Sequence, residues 1–245
     1  MCTIGALTHG GRTFLLKNFD YRPFPTGWAH FASFDERHSH FALVDHDQQG
    51  LNSGLNAAGL ALQISRSGCV DSNTPEMHEL RTVLNAEVLS HCNEVRQGVE
   101  YLEEYARAHP EMFGGNVMLA DTERISVTEY FGGEVHSEIV ENGFRARANH
   151  SLFGLVDNAT EDSERRYERM VEFLQELYAW FPTLDDEDVL QRCKRVLRQE
   201  PLLKEQTRSS FVIDVVDKRV EYLVGEGPWQ TFRFTHRDSA LPASD

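Results

Sequence analysis

The sequence lacks any apolar run long enough to cross a membrane, and its first residues lack the basic segment and apolar core of a signal peptide. It also lacks clusters of Lys and Arg, and its 245 residues carry a formal net charge of −15. Nucleic acid is therefore disfavoured as a partner, because its phosphates must be neutralised by clustered basic side chains. We expect a cytoplasmic protein that binds neither membranes nor nucleic acid.

The cysteines are few and show no paired spacing, which in a reducing compartment indicates thiols rather than disulfides or a zinc knuckle. They are Cys2, Cys69, Cys92 and Cys193. We expect the last three to be packing residues. On a strand, His38 and His40 would have both imidazoles on the same face. No acidic or sulfur residue follows them at a spacing typical of metal ligands. The sequence therefore predicts no metal and no cofactor.

Apolar residues make up 40% of the chain, enough for one large domain, residues 1–245, with a substantial core. Apolar periodicity and turn residues predict strands, helices, strands, helices and strands in that order. The predicted strands are 2–8, 12–19, 31–34, 41–44, 60–65, 116–120, 125–130, 133–140, 144–148, 210–216, 219–224 and 231–234. The predicted helices are 74–90, 93–108, 162–180 and 186–198, with Asn93 capping the second and Asp162 and Ser163 capping the third.

The most informative residue is Cys2, because removal of Met1 would place a thiol and an α-amine on one residue. A free α-amine has a pKa of about 7.7 to 8.0 and a thiol one of about 8.5. The amine can therefore take the thiol's proton near neutral pH, and no separate histidine is needed. The alternative is that Cys2 merely follows the start codon and belongs to a frayed end.

The segments 2–8 and 12–19 flank His9-Gly10-Gly11 and predict a hairpin. Residue i faces 21 minus i if the turn has two residues and 20 minus i if it has three, so Cys2 faces Phe19 or Asn18. Either register brings Lys17, Asn18 and Asp20 beside Cys2. Lys17 and Asp20 are three positions apart, so both reach Cys2 only if the chain bends after Phe19, as residues 21–25 suggest.

Several short motifs follow one another along the chain. They are Cys2-Thr3, Lys17-Asn18-Phe19-Asp20, the run from Gly54 to Leu62, the run from Gly115 to Asp121, Ala148-Asn149-His150 and Ser163-Glu164-Arg165-Arg166-Tyr167. In these motifs and their order the chain resembles the cysteine N-terminal-nucleophile hydrolases. The relevant branch holds choloylglycine hydrolases, penicillin V acylases and isopenicillin N acyltransferase-like enzymes. The resemblance implies an α+β fold, a four-layer α/β/β/α sandwich, and thins after about Leu190.

The resemblance also implies roles for particular residues. Cys2 is the nucleophile, Asp20 orients its α-amine, and Asn149 donates a side-chain N–H to the tetrahedral oxyanion. Lys17 stands where choloylglycine hydrolases carry arginine, and it keeps the positive charge without the planar fork. Arg166 matches an arginine near the nucleophile. A backbone N–H within residues 63–66 is the second oxyanion donor.

Each role has a structural alternative. Asp20 could be a turn residue, Asn149 could bond its own loop, and Arg166 could form surface ion pairs together with Arg165 and Arg169. Asn56, Asn116 and Asp121 are interpreted as structural. Aromatic side chains that could line an acyl pocket, or equally belong to the core, are Phe24, Trp28, Phe31 and Tyr130.

Three functions are compatible with these residues. The first is hydrolysis of a linear amide, of the N-acyl amine or N-acyl amino acid type, through a thioester on Cys2. The second is transfer of the same acyl group to an amine, and the third is a non-catalytic binding module that keeps the fold. We favour hydrolysis because no acyl-carrier or coenzyme A site is visible. The expected partner is a small-molecule amide, and a homo-oligomer is compatible with the sequence.

Overall fold

The computed structural model describes residues 2–20, 26–32, 37–45, 50–67 and 75–235. The predicted bend at residues 21–25, Cys69, and part of the predicted strand 31–34 lie outside these residues.

The described residues form strands and four helices in five successive blocks, in the order predicted from the sequence. The first two blocks are β1 (Cys2–His9), β2 (Arg12–Asp20), β3 (Thr26–Phe31), β4 (His40–Asp45), β5 (Gly50–Asn56), β6 (Ala61–Arg66), α1 (Pro75–His91) and α2 (Val95–Ala108). The remaining blocks are β7 (Gly115–Ala120), β8 (Ile125–Phe131), β9 (Glu134–Val140), β10 (Gly143–Arg147), α3 (Glu161–Trp180), α4 (Asp186–Val196), β11 (Thr207–Asp214), β12 (Arg219–Val224) and β13 (Gln230–Arg233).

The strands build two antiparallel sheets with helices on both outer faces. One sheet has the order β10-β1-β2-β11-β12-β13, and the other has the order β3-β4-β5-β6-β7-β8-β9. One apolar cluster lies between the sheets, a second lies under α1 and α2, and a third lies under α3 and α4. The predicted α+β class and α/β/β/α layering are confirmed. No helix among the described residues is both long and apolar enough to cross a bilayer.

The β1–β2 hairpin settles which residue faces Cys2. Gly10 and Gly11 have φ angles of 60° and 78°, the left-handed backbone that a two-residue hairpin turn requires and that glycine adopts without strain. Cys2 consequently pairs with Phe19 and Ile4 pairs with Lys17, which is the register of the shorter turn. Cys2 and Lys17 therefore lie on the same face of the sheet.

Helix α3 packs against β1 at Gly5. A Cβ atom at this position would lie 2.8 Å from Met170 Sδ, closer than real Cβ atoms come, and 3.0 Å from Leu174 Cδ1, tighter than most real Cβ contacts. Gly5 thus lets the helix lie directly on the strand that begins with the nucleophile candidate.

The predicted helix caps were wrong in both cases. The N-cap of α2 is Glu94 rather than Asn93, and its side chain forms no capping bond. The N–H of Val95 instead donates to Asp121 Oδ2 at 2.8 Å, so a residue at the end of β7 caps this helix. Asp121 has the structural role expected for it.

Helix α3 begins at Glu161, one residue earlier than predicted. Its N-cap is Thr160, whose Oγ1 accepts the N–H of Ser163, and not Asp162 or Ser163. The sequence analysis also missed strand β5, because its sequence GLNSGLN is rich in glycine and asparagine, which are depleted in strands.

Candidate active site

Cys2 lies at the start of β1, between β10 and β2, and its side chain is buried. The β1–β10 ladder pairs Ile4 with Arg147, so continuing the same register carries Asn149 alongside Cys2. The backbone nitrogen of Cys2 donates to Asn149 Oδ1 at 2.8 Å. The chain start is therefore held by a side chain where the strand ladder has ended.

Asn149 connects three separate segments. Its Oδ1 accepts from Arg166 Nη2 at 3.0 Å as well as from Cys2, and its Nδ2 donates to the carbonyl of Arg66 at 2.9 Å. The alternative that its side chain bonds its own loop is wrong. A side-chain amide carries two N–H donors, and Arg66 accepts from one of them.

Arg166 is fully buried, unlike its neighbour Arg165, which is exposed. Its Nη1 donates to the carbonyl of Cys2 at 2.9 Å and to Thr3 Oγ1 at 2.8 Å, and its Nε donates to Asp162 at 3.0 Å. The surface ion-pair alternative is therefore wrong for Arg166. Direct hydrogen bonds join Cys2, Asn149 and Arg166 into one group.

Lys17 points between the sheets and is fully buried. Its Nζ donates to Ser53 Oγ at 2.9 Å and to Asn52 Oδ1, both on β5 of the opposite sheet. Burial lowers the pKa of Lys17 to about 8, while the nearby Cys2 thiol opposes this shift. Lys17 is thus a cation that interacts with Cys2 through charge and titrates near neutral pH.

Asp20 is buried at the end of β2 and accepts a hydrogen bond from Thr207 Oγ1 at 2.6 Å. It belongs to a paired strand, so it is not the turn residue of the structural alternative. Burial raises the pKa of the Asp20 carboxyl, and the bond from Thr207 and the charges of Arg166 and Lys204 oppose that rise. Arg166 also holds the carbonyl of Cys2, so Asp20 lies near Cys2 as well.

Ser163 is a residue of this site that sequence reasoning missed. Its Oγ accepts the backbone N–H of Asn149 at 2.8 Å and forms a second bond with His150 Nδ1 at 2.8 Å. Burial lowers the pKa of His150. The sequence did contain a signal for Ser163. Ser163, Arg166 and Met170 are spaced three to four residues apart, which places Ser163 and Arg166 together on the buried face of α3.

Residues 63–66, in which the second oxyanion donor is predicted, lie at the end of β6, and the carbonyl of Arg66 accepts from Asn149 Nδ2. The β5–β6 ladder ends at Ser53 and Gln63, whereas β6 continues to Arg66 while paired with β7. Residues 64–66 therefore extend past the end of the β5 ladder, beside Asn149. In the described part of the chain, no three His, Cys, Asp or Glu side chains converge as a metal site would require.

The aromatic candidates for an acyl pocket mostly belong to the core. Tyr130 is buried in the cluster under α1 and α2. Trp28 packs between the sheets, stacked on Phe41 with ring centroids 5.1 Å apart. Phe31 is 38% exposed and stacks on His40, and Phe24 lies outside the described residues.

Comparison with known families identifies the chain. The family model described as acyl-coenzyme A:6-aminopenicillanic acid acyl-transferase matches residues 7–228, most of the sequence. The chain belongs to this family. The match to the acyl-transferase family includes Lys17, Asp20, Asn149 and Arg166 but begins after Cys2. No curated protein sequence matches the chain.

Solved structures share the fold of this acyl-transferase family member at low sequence identity. Penicillin V acylase from Agrobacterium tumefaciens has a TM-score of 0.64 and 13% identity, over 98% of this chain and 88% of that one. The Caenorhabditis elegans ortholog of N-acylethanolamine-hydrolyzing acid amidase has a TM-score of 0.64 and 14% identity, over 88% and 93%. A mutant conjugated bile acid hydrolase from Clostridium perfringens has a TM-score of 0.59 and 11% identity, over 95% and 92%. The predicted resemblance to N-terminal-nucleophile hydrolases is confirmed, and the similar structures are those of enzymes.

Proposed function

We propose that this protein hydrolyses a linear amide through a thioester on Cys2 after Met1 is removed. The observation that carries the proposal is the hydrogen bond of the Cys2 backbone nitrogen to Asn149 Oδ1. This nitrogen would become the α-amine, and it is held by a side-chain acceptor rather than by a strand partner. The amine would thus be fixed beside its own thiol, ready to take the thiol's proton.

The surrounding residues have separate tasks in this proposal. Lys17 supplies positive charge that favours the Cys2 thiolate, and Asp20 supplies a carboxylate for the ammonium form of the amine. The second N–H of Asn149 Nδ2 donates to the oxyanion, together with a backbone N–H in residues 64–66. Arg166 fixes the Cys2 carbonyl and Asn149 Oδ1 through its bonds to both. The amine then returns the proton to the leaving nitrogen, and water hydrolyses the thioester.

Acyl transfer is the second candidate function, because the matched family is described as an acyl-transferase. The two reactions share every step as far as the thioester and differ only in whether water or an amine releases the acyl group. The geometry around Cys2 supports both equally. Competition between water and an added amine for the thioester distinguishes the two reactions.

The test is incubation of the protein with a panel of N-acyl amines and N-acyl amino acids, with and without an added amine acceptor. Free acid and a mass increase on Cys2 support hydrolysis, acyl-amine product supports transfer, and neither product refutes both reactions. Cys2→Ala removes the nucleophile, while Cys193→Ala is the matched thiol control, since Cys193 is a buried residue of α4 in a different apolar cluster from Cys2. Intact mass should show Met1 missing from active protein; full activity with Met1 retained refutes the terminal nucleophile.

A further inference from the structure

A buried carboxylate outside the group just described holds the loop that follows Asn149. Glu129 lies on β8 and is fully buried. An ionised side chain so far from water must be compensated by hydrogen bonds or opposite charge. The partners of Glu129 therefore indicate what this residue stabilises.

The hydrogen-bond partners of Glu129 all come from one short segment. Its Oε2 accepts the backbone N–H groups of Leu152 at 3.0 Å and Phe153 at 3.3 Å, and its Oε1 accepts the hydroxyl of Ser151. These residues begin two positions after Asn149. Charge-assisted bonds of this kind are stronger than neutral ones, so Glu129 is a firm anchor for the segment.

Opposite charge comes from the other side of Asn149. Arg147, the last residue of β10, is buried, and attraction to Glu129 opposes the lowering of its pKa by burial. Its guanidinium also lies over the Phe153 ring, 5.1 Å from the centroid. Glu129 thus interacts with the chain immediately before and immediately after Asn149.

Residues 148–160 form neither helix nor strand, so side chains must fix the position of Asn149. Ser163 binds its backbone N–H, and Asn158 Nδ2 donates to its carbonyl at 3.3 Å. Leu152 and Phe153 are each 37% exposed, so these two side chains do not seal the loop into the core. We propose that Glu129 is a positioning residue that keeps Asn149 in register with Cys2.

The proposal rests on the proposed function, and it is tested by the rate at which an N-acyl amine acylates Cys2 in a single turnover. Glu129→Ala should lower this rate about a hundredfold, the cost of misplacing a reacting group by about 1 Å. Alkylation of Cys2 by iodoacetamide at about pH 10, where the thiol ionises without help from the amine that Asn149 holds, should stay near wild type. Glu129→Gln should retain most of the rate, because its amide oxygen can accept from Leu152 and Phe153 while its N–H groups donate to Ser151.

Glu138→Gln is the matched control, since Glu138 is a carboxylate in the same sheet that binds Arg145 instead of the loop. It should acylate as fast as wild type. Wild-type acylation by Glu129→Ala would overturn the proposal. If that variant does not fold, Ser151→Ala takes its place, because it removes the hydroxyl that donates to Glu129 and should also slow acylation; wild-type acylation by Ser151→Ala is then the overturning result.

Hydrogen exchange distinguishes failure of this inference from failure of the proposed function. The amides of Asn149, Leu152 and Phe153 should exchange faster in Glu129→Ala than in wild type, whether or not any substrate is turned over. A wild-type protein that no amide acylates refutes the proposed function alone. Unchanged exchange in Glu129→Ala refutes the positioning role.

Discussion

Replacing Lys17 by Met should change how stability depends on pH. Burial places the folded pKa of Lys17 at about 8, below its usual value of 10.5. The folded protein therefore pays for a buried ammonium at low pH, and this cost disappears as the pH rises from about 8 to about 10.5. The shift corresponds to about 3 kcal/mol, of which about 2 kcal/mol falls between pH 8 and 10.

The measurement is urea unfolding of wild type and Lys17→Met at several pH values, and the quantity of interest is the difference between them. The difference is needed because a second group makes stability depend on pH in the same range. Burial raises the pKa of the Cys193 thiol to about 12, so the free energy of unfolding falls as the pH rises and the thiol ionises in the unfolded chain. Wild type should gain about 2 kcal/mol relative to Lys17→Met between pH 8 and 10.

Lys17→Arg is the control, because arginine stays charged throughout this range and should show no gain relative to Lys17→Met. A constant difference between wild type and Lys17→Met from pH 7 to 10.5 would refute the reasoning. It would mean that Lys17 is not dehydrated between the sheets.

Three further predictions follow from the site and its supports. Asp20→Asn should lower turnover while circular dichroism shows the fold intact; wild-type turnover would leave Asp20 with only its bond to Thr207. Asn149→Ala should slow single-turnover acylation of Cys2 roughly a hundred- to a thousandfold, and His150→Ala should have a milder effect; the reverse order would favour an ordinary cysteine–histidine hydrolase. Asp121→Ala should destabilise the protein by about 1 kcal/mol in thermal unfolding, as loss of a helix cap does, and an unchanged melting temperature would contradict that role.

Most of the order of strands and helices along the chain and the hairpin at Cys2 could be predicted because their signals are local. Alternating apolar residues and a Gly10-Gly11 turn specify a hairpin within 20 positions of sequence. The sequence left two registers open, since His9 could have joined the turn. The backbone angles of the two glycines decided between them.

The parts that could not be predicted depend on contacts between distant segments. Asp121 caps a helix that begins 26 residues earlier, and Lys17 finds its partners 35 and 36 residues later. Every residue has a backbone carbonyl, so the sequence gives no sign that the carbonyl of Arg66 accepts from Asn149. The buried state of Arg166, by contrast, was encoded in the helical spacing from Ser163 to Met170.

The absence of a side chain at Gly5 lets helix α3 pack close to the strand that carries Cys2. Helix α3 rests on β1 at this residue and carries Arg166, whose guanidinium reaches back to the carbonyl of Cys2. A methyl group here would first displace the ends of the Met170 and Leu174 side chains, and only strain that they do not absorb would reach the helix backbone and the bonds from Arg166 to the carbonyl of Cys2. The packing of α3 on β1 and the position of Cys2 are therefore linked. A substitution at Gly5 would leave every polar group of the site in place and still disturb the packing on which their positions depend.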